Sequence, residues 1–370
     1  MSKKRKTVIH ETPKYYSLDR ILSKEACYNI IFGERSNGKT YSVLKYAIKH
    51  YFETKGQFAI VRRWKEDITG RRASDIFTSI NQDGVVEKFS KGKFTGIHYC
   101  AGKFYACIYD EDGKPVYNDT NIIGYCFSLS DTEHNKSISY PMIETIFFDE
   151  FLTNKLYLAD EFVLFMNTIS TIVRQRDNVK IFMCGNTVNK YCPYFKEFGL
   201  THILKMNQGD IDVYRYGDSR LVVAVEYCSS MNSDKKSNFY FAFDNPKLQM
   251  ITQGSWELDI YPHLPCKYTP KQVLFEFVIS FEGINYLSEV IDLGNGDIIL
   301  YVHEKTTPIK EKTIVFSLAD NPSMWYNKSI ASPNFKAGSK ILWLIKHHKI
   351  FYQNNDVGNA IHNYFKVSGV

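Results

Sequence analysis

The sequence lacks the cysteine pairs that would staple it or hold a structural metal. Its eight cysteines never form C-x-x-C, and no Cys/His cluster has zinc-finger spacing, so they read as free thiols in a reducing cytoplasm. Long apolar runs are missing too. No stretch approaches about 18 uncharged apolar residues, and the basic start runs into Thr7-Val8-Ile9-His10-Glu11-Thr12-Pro13, so neither a membrane span nor an export signal is expected. Internal repeats and low-complexity tracts are absent, and charge of one sign is scarce: 46 Lys+Arg against 40 Asp+Glu leave a net +6. Residues 1–10 carry +4 and residues 321–370 carry +5, so residues 11–320 sum to −3. Basicity this mild and uneven does not by itself mark a nucleic-acid protein. What is present is an ordinary globular composition, 44% hydrophobic and 23% charged, in a chain of 370 residues, long enough for two or three domains.

Local patterns order the first half. The apolar run Tyr28 to Phe32 ends at Gly33, and a helix-forming segment follows from Lys39 to about Phe52, which reads as strand, loop, helix. Phe58 to Val61 predicts a second buried strand ending in Arg62-Arg63-Trp64-Lys65. Residues 94–130 alternate around Asp112-Gly113 and predict an inserted hairpin. Ile143 to Phe148 predicts a strand closing on Asp149-Glu150. Apolar residues from Phe162 to Val173 recur at helical spacing, and Val179 to Cys184 predicts a strand ending at Gly185-Asn186. Strands alternating with helices imply a covered, mainly parallel sheet. The expected division is a basic tail over 1–14, a nucleotide-binding α/β domain over 15–208, a linking region over 209–266, and a second α/β domain over 267–370. That last domain shows hairpin-like strands and helices near 339–345 and 357–365.

Gly33-Glu34-Arg35-Ser36-Asn37-Gly38-Lys39-Thr40 is a full G-x-x-x-x-G-K-[ST] match between a predicted strand and helix. At average composition it would arise by chance in about one chain in a hundred of this length. Glycines let backbone N–H groups wrap phosphates, Lys39 reaches the β/γ oxygens of ATP, and the Thr40 hydroxyl ligates Mg²⁺. Asp149 ends a buried strand 110 residues beyond Lys39, where a carboxylate can sit beside Thr40 to hold the metal; adjacent Glu150 can activate water. Arg35 either neutralises phosphate charge in cis or is a solvated loop arginine. Arg174 and Arg176 follow the apolar-faced helix and read either as arginine fingers for a neighbouring site or as a charged helix end. Asn186 is either a γ-phosphate sensor or a turn residue. Arg71, Arg72, Lys91 and Lys93 are candidate phosphate contacts for DNA, with a solvated face as the equal alternative.

Tyr16 to Leu22, the P-loop, Val61 to Lys65, Ile146 to Phe151, Val173 to Arg176 and Cys192 to Phe195 together resemble, in order, the genome-packaging ATPases of φ29-like bacteriophages. The resemblance implies an ASCE P-loop NTPase (RecA-like) domain and a C-terminal degenerate ribonuclease H-like domain. It also implies a ring, as a pentamer, docked on the portal of a prohead in the host cytoplasm and pumping double-stranded DNA with ATP and Mg²⁺, in some relatives through a packaging RNA. Carried onto this chain, it makes Lys39 and Thr40 P-loop ligands, Asp149 the magnesium aspartate, Glu150 the catalytic glutamate and Arg174 a trans-acting finger. It also puts Lys136 near a neighbour's nucleotide and Arg62, Arg63 and Lys65 in a basic run near the nucleotide, with a structural pair at a strand end as the alternative for Arg62. The acids after residue 267 are scattered, so no nuclease activity is expected. A RecA-like helicase or recombination ATPase, and an assembly factor that binds nucleotide without turnover, stand as the alternatives.

Overall fold

The computed structural model describes residues 15–131, 138–153, 157–187, 192–219, 221–229, 261–264, 266–294, 296–333 and 335–370. The chain forms two compact units, Met1–Glu257 and Leu258–Val370.

The first unit is built on β1 (Tyr28–Gly33), whose six residues are all buried. Alternation along that strand feeds two cores. Tyr28, Ile30 and Phe32 point into one with Phe148, Phe165 and Tyr194, and Ile31 points into the other with Val43, Ile48 and Phe58. Each such side chain contributes about 1.5–3 kcal/mol by leaving water. The second core is covered by α2 (Lys39–Thr54), which follows the short α1 (Asp19–Leu22) and the β1 loop and buries Val43, Leu44, Ala47, Ile48 and Tyr51 along one stripe. Then come β2 (Gln57–Arg62), α3 (Gly70–Asp75), α4 (Thr78–Gln82) and α5 (Val85–Ser90). Next are β3 (Gly96–Cys100), β4 (Lys103–Tyr109), β5 (Pro115–Val116) and β6 (Ile122–Ser128). The last part holds β7 (Ile143–Asp149), α6 (Glu161–Val173), β8 (Lys180–Asn186), α7 (Pro193–Glu197), β9 (Ile211–Arg215) and β10 (Val222–Tyr227).

The sheet order is β3-β4-β6-β2-β7-β8-β1-β10-β9, with β5 paired to β4. Strands β6, β2, β7, β8, β1 and β10 run parallel, and the edges are antiparallel. Counting from the P-loop strand, the order β10, β1, β8, β7, β2 is the 5-1-4-3-2 arrangement of ASCE NTPases. One strand, β8, therefore separates the P-loop strand from the strand that ends in Asp149. The hairpin expected around Asp112-Gly113 exists as β4–β5, yet β4 also pairs with β6 and belongs to the main sheet.

One boundary differs from the sequence reading. The segment 209–266, expected as a linking region, contributes β9 and β10, and β10 lies parallel against the P-loop strand itself. Its run Val222 to Tyr227 carries an acid, Glu226. In the fold Glu226 is 2% exposed, its carboxylate accepting the Tyr16 hydroxyl at 2.6 Å and pairing with Arg20 at 3.4 Å. Partners some 200 residues away make the strand, and no local pattern shows them.

The second unit holds the antiparallel meander β11 (Val273–Phe281), β12 (Ile284–Asp292) and β13 (Ile298–Glu304). It is extended by β14 (Val315–Ser317) and β15 (Tyr326–Asn327) in parallel beyond β11 and by β16 (Ile350–Tyr352) beside β13. The order β13-β12-β11-β14-β15 is the 3-2-1-4-5 topology of ribonuclease H-like folds. The two expected helices are α8 (Gly338–Lys346) and α9 (Asn355–Ser368). Among the described residues no helix is long and apolar enough to cross a membrane.

Candidate nucleotide site

The loop between β1 and α2 turns where only glycine is comfortable. Gly38 sits at φ 91°, and a Cβ there would stand 3.2 Å from the Tyr15 Cβ. The chain thereby enters α2 with no acid in the first turn and no side chain capping it, so the helix start can receive phosphate oxygens. Lys39 is 6% exposed, and its ammonium donates to the Glu34 carbonyl at 2.6 Å, Asn37 Oδ1 at 3.2 Å and Asn186 Oδ1 at 3.3 Å. Burial pushes its pKa down, and nearby anionic groups oppose that shift.

Register brings the second half of the site to the first. Cys184 pairs with Ile31 on one side and with Asp149 on the other, so the end of β7 lies level with Ile31, just short of the paired ends of β1 and β8 at Gly33 and Asn186. Thr40 Oγ1 then donates to Asp149 Oδ1 at 3.1 Å. A hydroxyl and a carboxylate this close form a hard oxygen pair that fits Mg²⁺ carried by a nucleotide. Asp149 is 6% exposed, and burial raises its pKa while Arg62 lowers it. Arg62 bridges two carboxylates: it lies 2.7 Å from Asp149 Oδ2 and 2.8 Å from Glu150 Oε2. Glu150 adopts φ 61° at the strand end with its side chain 65% exposed.

A cavity of about 740 Å³ opens beside the loop, lined by Ser36, Asn37, Lys39, Thr40 and Asn186 and also by Tyr15, Tyr41 and Asp83. Tyr41 donates to Asp83 at 2.8 Å. The phosphate-side residues Gly33, Ser36, Asn37, Gly38, Lys39, Thr40, Asp149 and Asn186 thus come together. Arg35 is exposed in the loop.

Other expected residues lie elsewhere. Lys65 is exposed and paired with Asp131 at 2.6 Å, and it does not line the cavity, so the nucleotide contact expected of it is not part of this arrangement. Lys136 falls outside the described residues. Arg176 is structural: its guanidinium donates to the carbonyls of Tyr140, Pro141, Ile143 and Ile172. Arg174 caps α6 at φ 52°, a strained backbone for a non-glycine residue, with its guanidinium 3.3 Å from the Ile138 carbonyl. The 174–176 segment therefore packs at the start of β7, and Asp149 and Glu150 lie past its far end. Seven extended residues span about 20 Å, too far for Arg174 to meet the Glu150 of its own chain. Arg71 and Arg72 are exposed on α3 and pair with Asp75 at 3.6 Å and Asp67 at 3.0 Å. Lys91 is exposed beyond α5, and Lys93 lies 5.5 Å from the Phe94 ring centre.

Sequence reasoning missed how Arg62 and Arg63 divide. Neighbours at a strand end face opposite ways, so Arg62 meets the acids while Arg63 turns under them, 6% exposed, to Glu161 at 2.7 Å. The sequence signal was the doubled arginine after an apolar strand; its partner Glu161 is 98 residues away.

Comparison with known proteins gives one family model, the podovirus DNA encapsidation protein (Gp16), matching residues 11–321. The DNA packaging protein of Bacillus phage PZA is 29% identical over 310 residues, covering 83% of each chain. That of Bacillus phage B103 is 31% identical over 183 residues, 49% of this chain and half the length of that relative. Among solved structures, the bacteriophage Phi-29 viral genome packaging motor assembly superposes with a TM-score of 0.58 at 21% identity, covering 96% of this chain and 100% of that one. The Phi-28 gp11 DNA packaging motor does so at 0.56 and 17%, covering 97% and 99%.

Proposed function

The chain belongs to the podovirus DNA encapsidation family, and from that membership we propose that it is an ATP hydrolase that drives double-stranded viral DNA into a prohead. The observation that carries the reading is the 3.1 Å approach of Thr40 to Asp149, with Lys39 and Glu150 beside it, on a 5-1-4-3-2 sheet. The loop N–H groups and Lys39 would hold the nucleotide phosphates, and Thr40 and Asp149 would hold its Mg²⁺. When bound, the metal would neutralise phosphoryl charge. Asn186 already touches Lys39 and stands where it can orient the γ-phosphate. Glu150 accepts a proton from water once its carboxylate leaves Arg62, whose guanidinium between two acids cancels their repulsion until then.

Arg174 serves the neighbouring subunit of a ring, a pentamer in our reading, as the donor that stabilises transition-state charge. Its strained cap and its distance from the Glu150 of its own chain support that role. DNA passes over Arg71, Arg72, Lys91 and Lys93, which contact phosphates without reading bases. The portal of the prohead and a packaging RNA are the docking partners, and the host cytoplasm is the setting. In our reading unit 2 does no nuclease chemistry. Asp297 and Asp320 each pair with a lysine at 2.9 Å, Glu276 and Lys310 stand 4.0 Å apart, and no group of three His, Cys, Asp or Glu capable of holding a metal occurs among the described residues.

The test is ATP-dependent protection of double-stranded DNA from nuclease in the presence of proheads. Wild-type protein protects the DNA, and Lys39→Ala does not. Prohead-independent separation of a forked duplex would overturn the reading in favour of a helicase. For the trans role, rings mixed from Glu150→Gln and Arg174→Ala subunits regain phosphate release; no recovery at any ratio rejects it.

A further inference from the structure

We propose that Arg63 and Glu161 are the positioning pair that fixes Glu150 for water activation; this rests on the role given to Glu150 above. Glu150 sits in the left-handed region at φ 61°, which a non-glycine residue keeps only when its neighbours hold it. Arg63 does the holding. Its Nη1 donates to the Glu150 carbonyl at 3.2 Å and its Nη2 to the Phe151 carbonyl at 2.9 Å, while the Phe151 N–H donates to the Cys184 carbonyl at 3.2 Å. The peptide that follows the glutamate is thus anchored to the side chain just past β2 and to the backbone of β8. The direction in which the Glu150 carboxylate leaves the strand follows from that anchored torsion.

The guanidinium is itself locked. Nε and Nη2 bond the two Glu161 oxygens at 2.7 and 2.9 Å, and its plane lies 5.0 Å from the Tyr157 ring centre. Glu161 is saturated in turn: Oε1 also accepts the Tyr194 hydroxyl at 2.8 Å, and Oε2 also accepts the Leu158 N–H at 2.8 Å. Both side chains are buried and four donors already fill the Glu161 carboxylate, so the pair acts through Glu150 rather than on the nucleotide. A buried ion pair is seldom the most stable filling for such a space; what this one supplies is a planar fork spanning two carbonyls and a carboxylate. Lysine, with a single ammonium, cannot span them.

The test compares full-length Arg63→Lys, Glu161→Gln and Tyr194→Phe with wild type in phosphate release, fluorescent-nucleotide affinity and thermal unfolding. Displacing a catalytic group by about an ångström costs on the order of 10²-fold in rate, so Arg63→Lys lowers kcat by that order while nucleotide affinity and KM stay within about threefold. Glu161→Gln loses less, and Tyr194→Phe least. The double variant Arg63→Met/Glu161→Leu replaces the pair with apolar groups. It regains thermal stability relative to Arg63→Met while kcat stays low. A kcat that recovers with the melting temperature, or Arg63→Lys turning over at the wild-type rate, overturns the proposal. Glu150→Gln runs in parallel: if it still hydrolyses ATP normally the reading of Glu150 fails, whereas loss there with normal Arg63 and Glu161 variants rejects only the positioning pair.

Discussion

Both units are sheets covered by helices, yet they treat acidic residues in opposite ways. In the first, Asp149, Glu161 and Glu226 are nearly or fully buried, each against an arginine, and two of the three lie at or under the ends of parallel strands around one loop. In the second, Glu276, Asp297 and Asp320 stay in water opposite lysines, and Glu289 is tied to Tyr268 and His303 on a sheet face. Desolvating a charge is costly unless a partner is built for it, so buried, partnered acids converging on a phosphate-sized cradle mark where chemistry is done. The described acids of the second unit form no such convergence.

The largest effect that sharpens this contrast is on turnover. One well-placed donor to developing charge is worth about 10²–10³-fold, so Lys39→Ala lowers phosphate release by at least that factor, whereas Glu276→Gln and Asp297→Asn leave it within about twofold. Metal-dependent nicking of plasmid DNA that disappears in Glu276→Gln would break the contrast. A smaller effect concerns stability. Arg63→Met strands Glu161 in the interior and lowers unfolding free energy by about 3–5 kcal/mol, while Lys349→Met, which frees the half-exposed Asp297, costs less than about 1 kcal/mol. Urea denaturation reads both.

The smallest effect is a pH dependence confined to the second unit. The hydrogen bond from His303 holds Glu289 below the usual carboxylate range, and Glu289 raises His303 above the usual imidazole range. The raised histidine adds stability that is full below its unfolded pKa and fades as pH climbs through its higher folded value. The depressed glutamate adds stability that is full above its unfolded pKa and fades as pH drops through its lower folded value. Stability from the pair is therefore greatest between roughly pH 4.3 and 6.5, on the order of 1 kcal/mol. His303→Gln flattens that profile, and denaturation midpoints at pH 5.5 and 8.5 check it.

The sequence disclosed the parts whose determinants are local. The P-loop, the strand ending in Asp149-Glu150, the Asn186 strand end and the meander of the second unit all sit where their periodicity and glycine placement put them. What it hid depends on partners distant in the chain. Val222 to Tyr227 becomes an interior strand, between β1 and β9, with Tyr16 and Arg20 satisfying Glu226. Arg62 becomes a bridge and Arg63 a clamp because β7 and the start of α6 fold over them. Arg176 bonds four carbonyls and Arg174 does not, a distinction that two arginines spaced by one residue do not announce.

The central claim is that the first unit hydrolyses ATP with Glu150 as the residue that activates water. Single-turnover phosphate release by Glu150→Gln, measured beside its affinity for a fluorescent ATP analogue and Mg²⁺, tests it most directly. Binding within about threefold of wild type with release slowed at least about 10²-fold is the outcome this account predicts. Release at the wild-type rate with binding intact would contradict it.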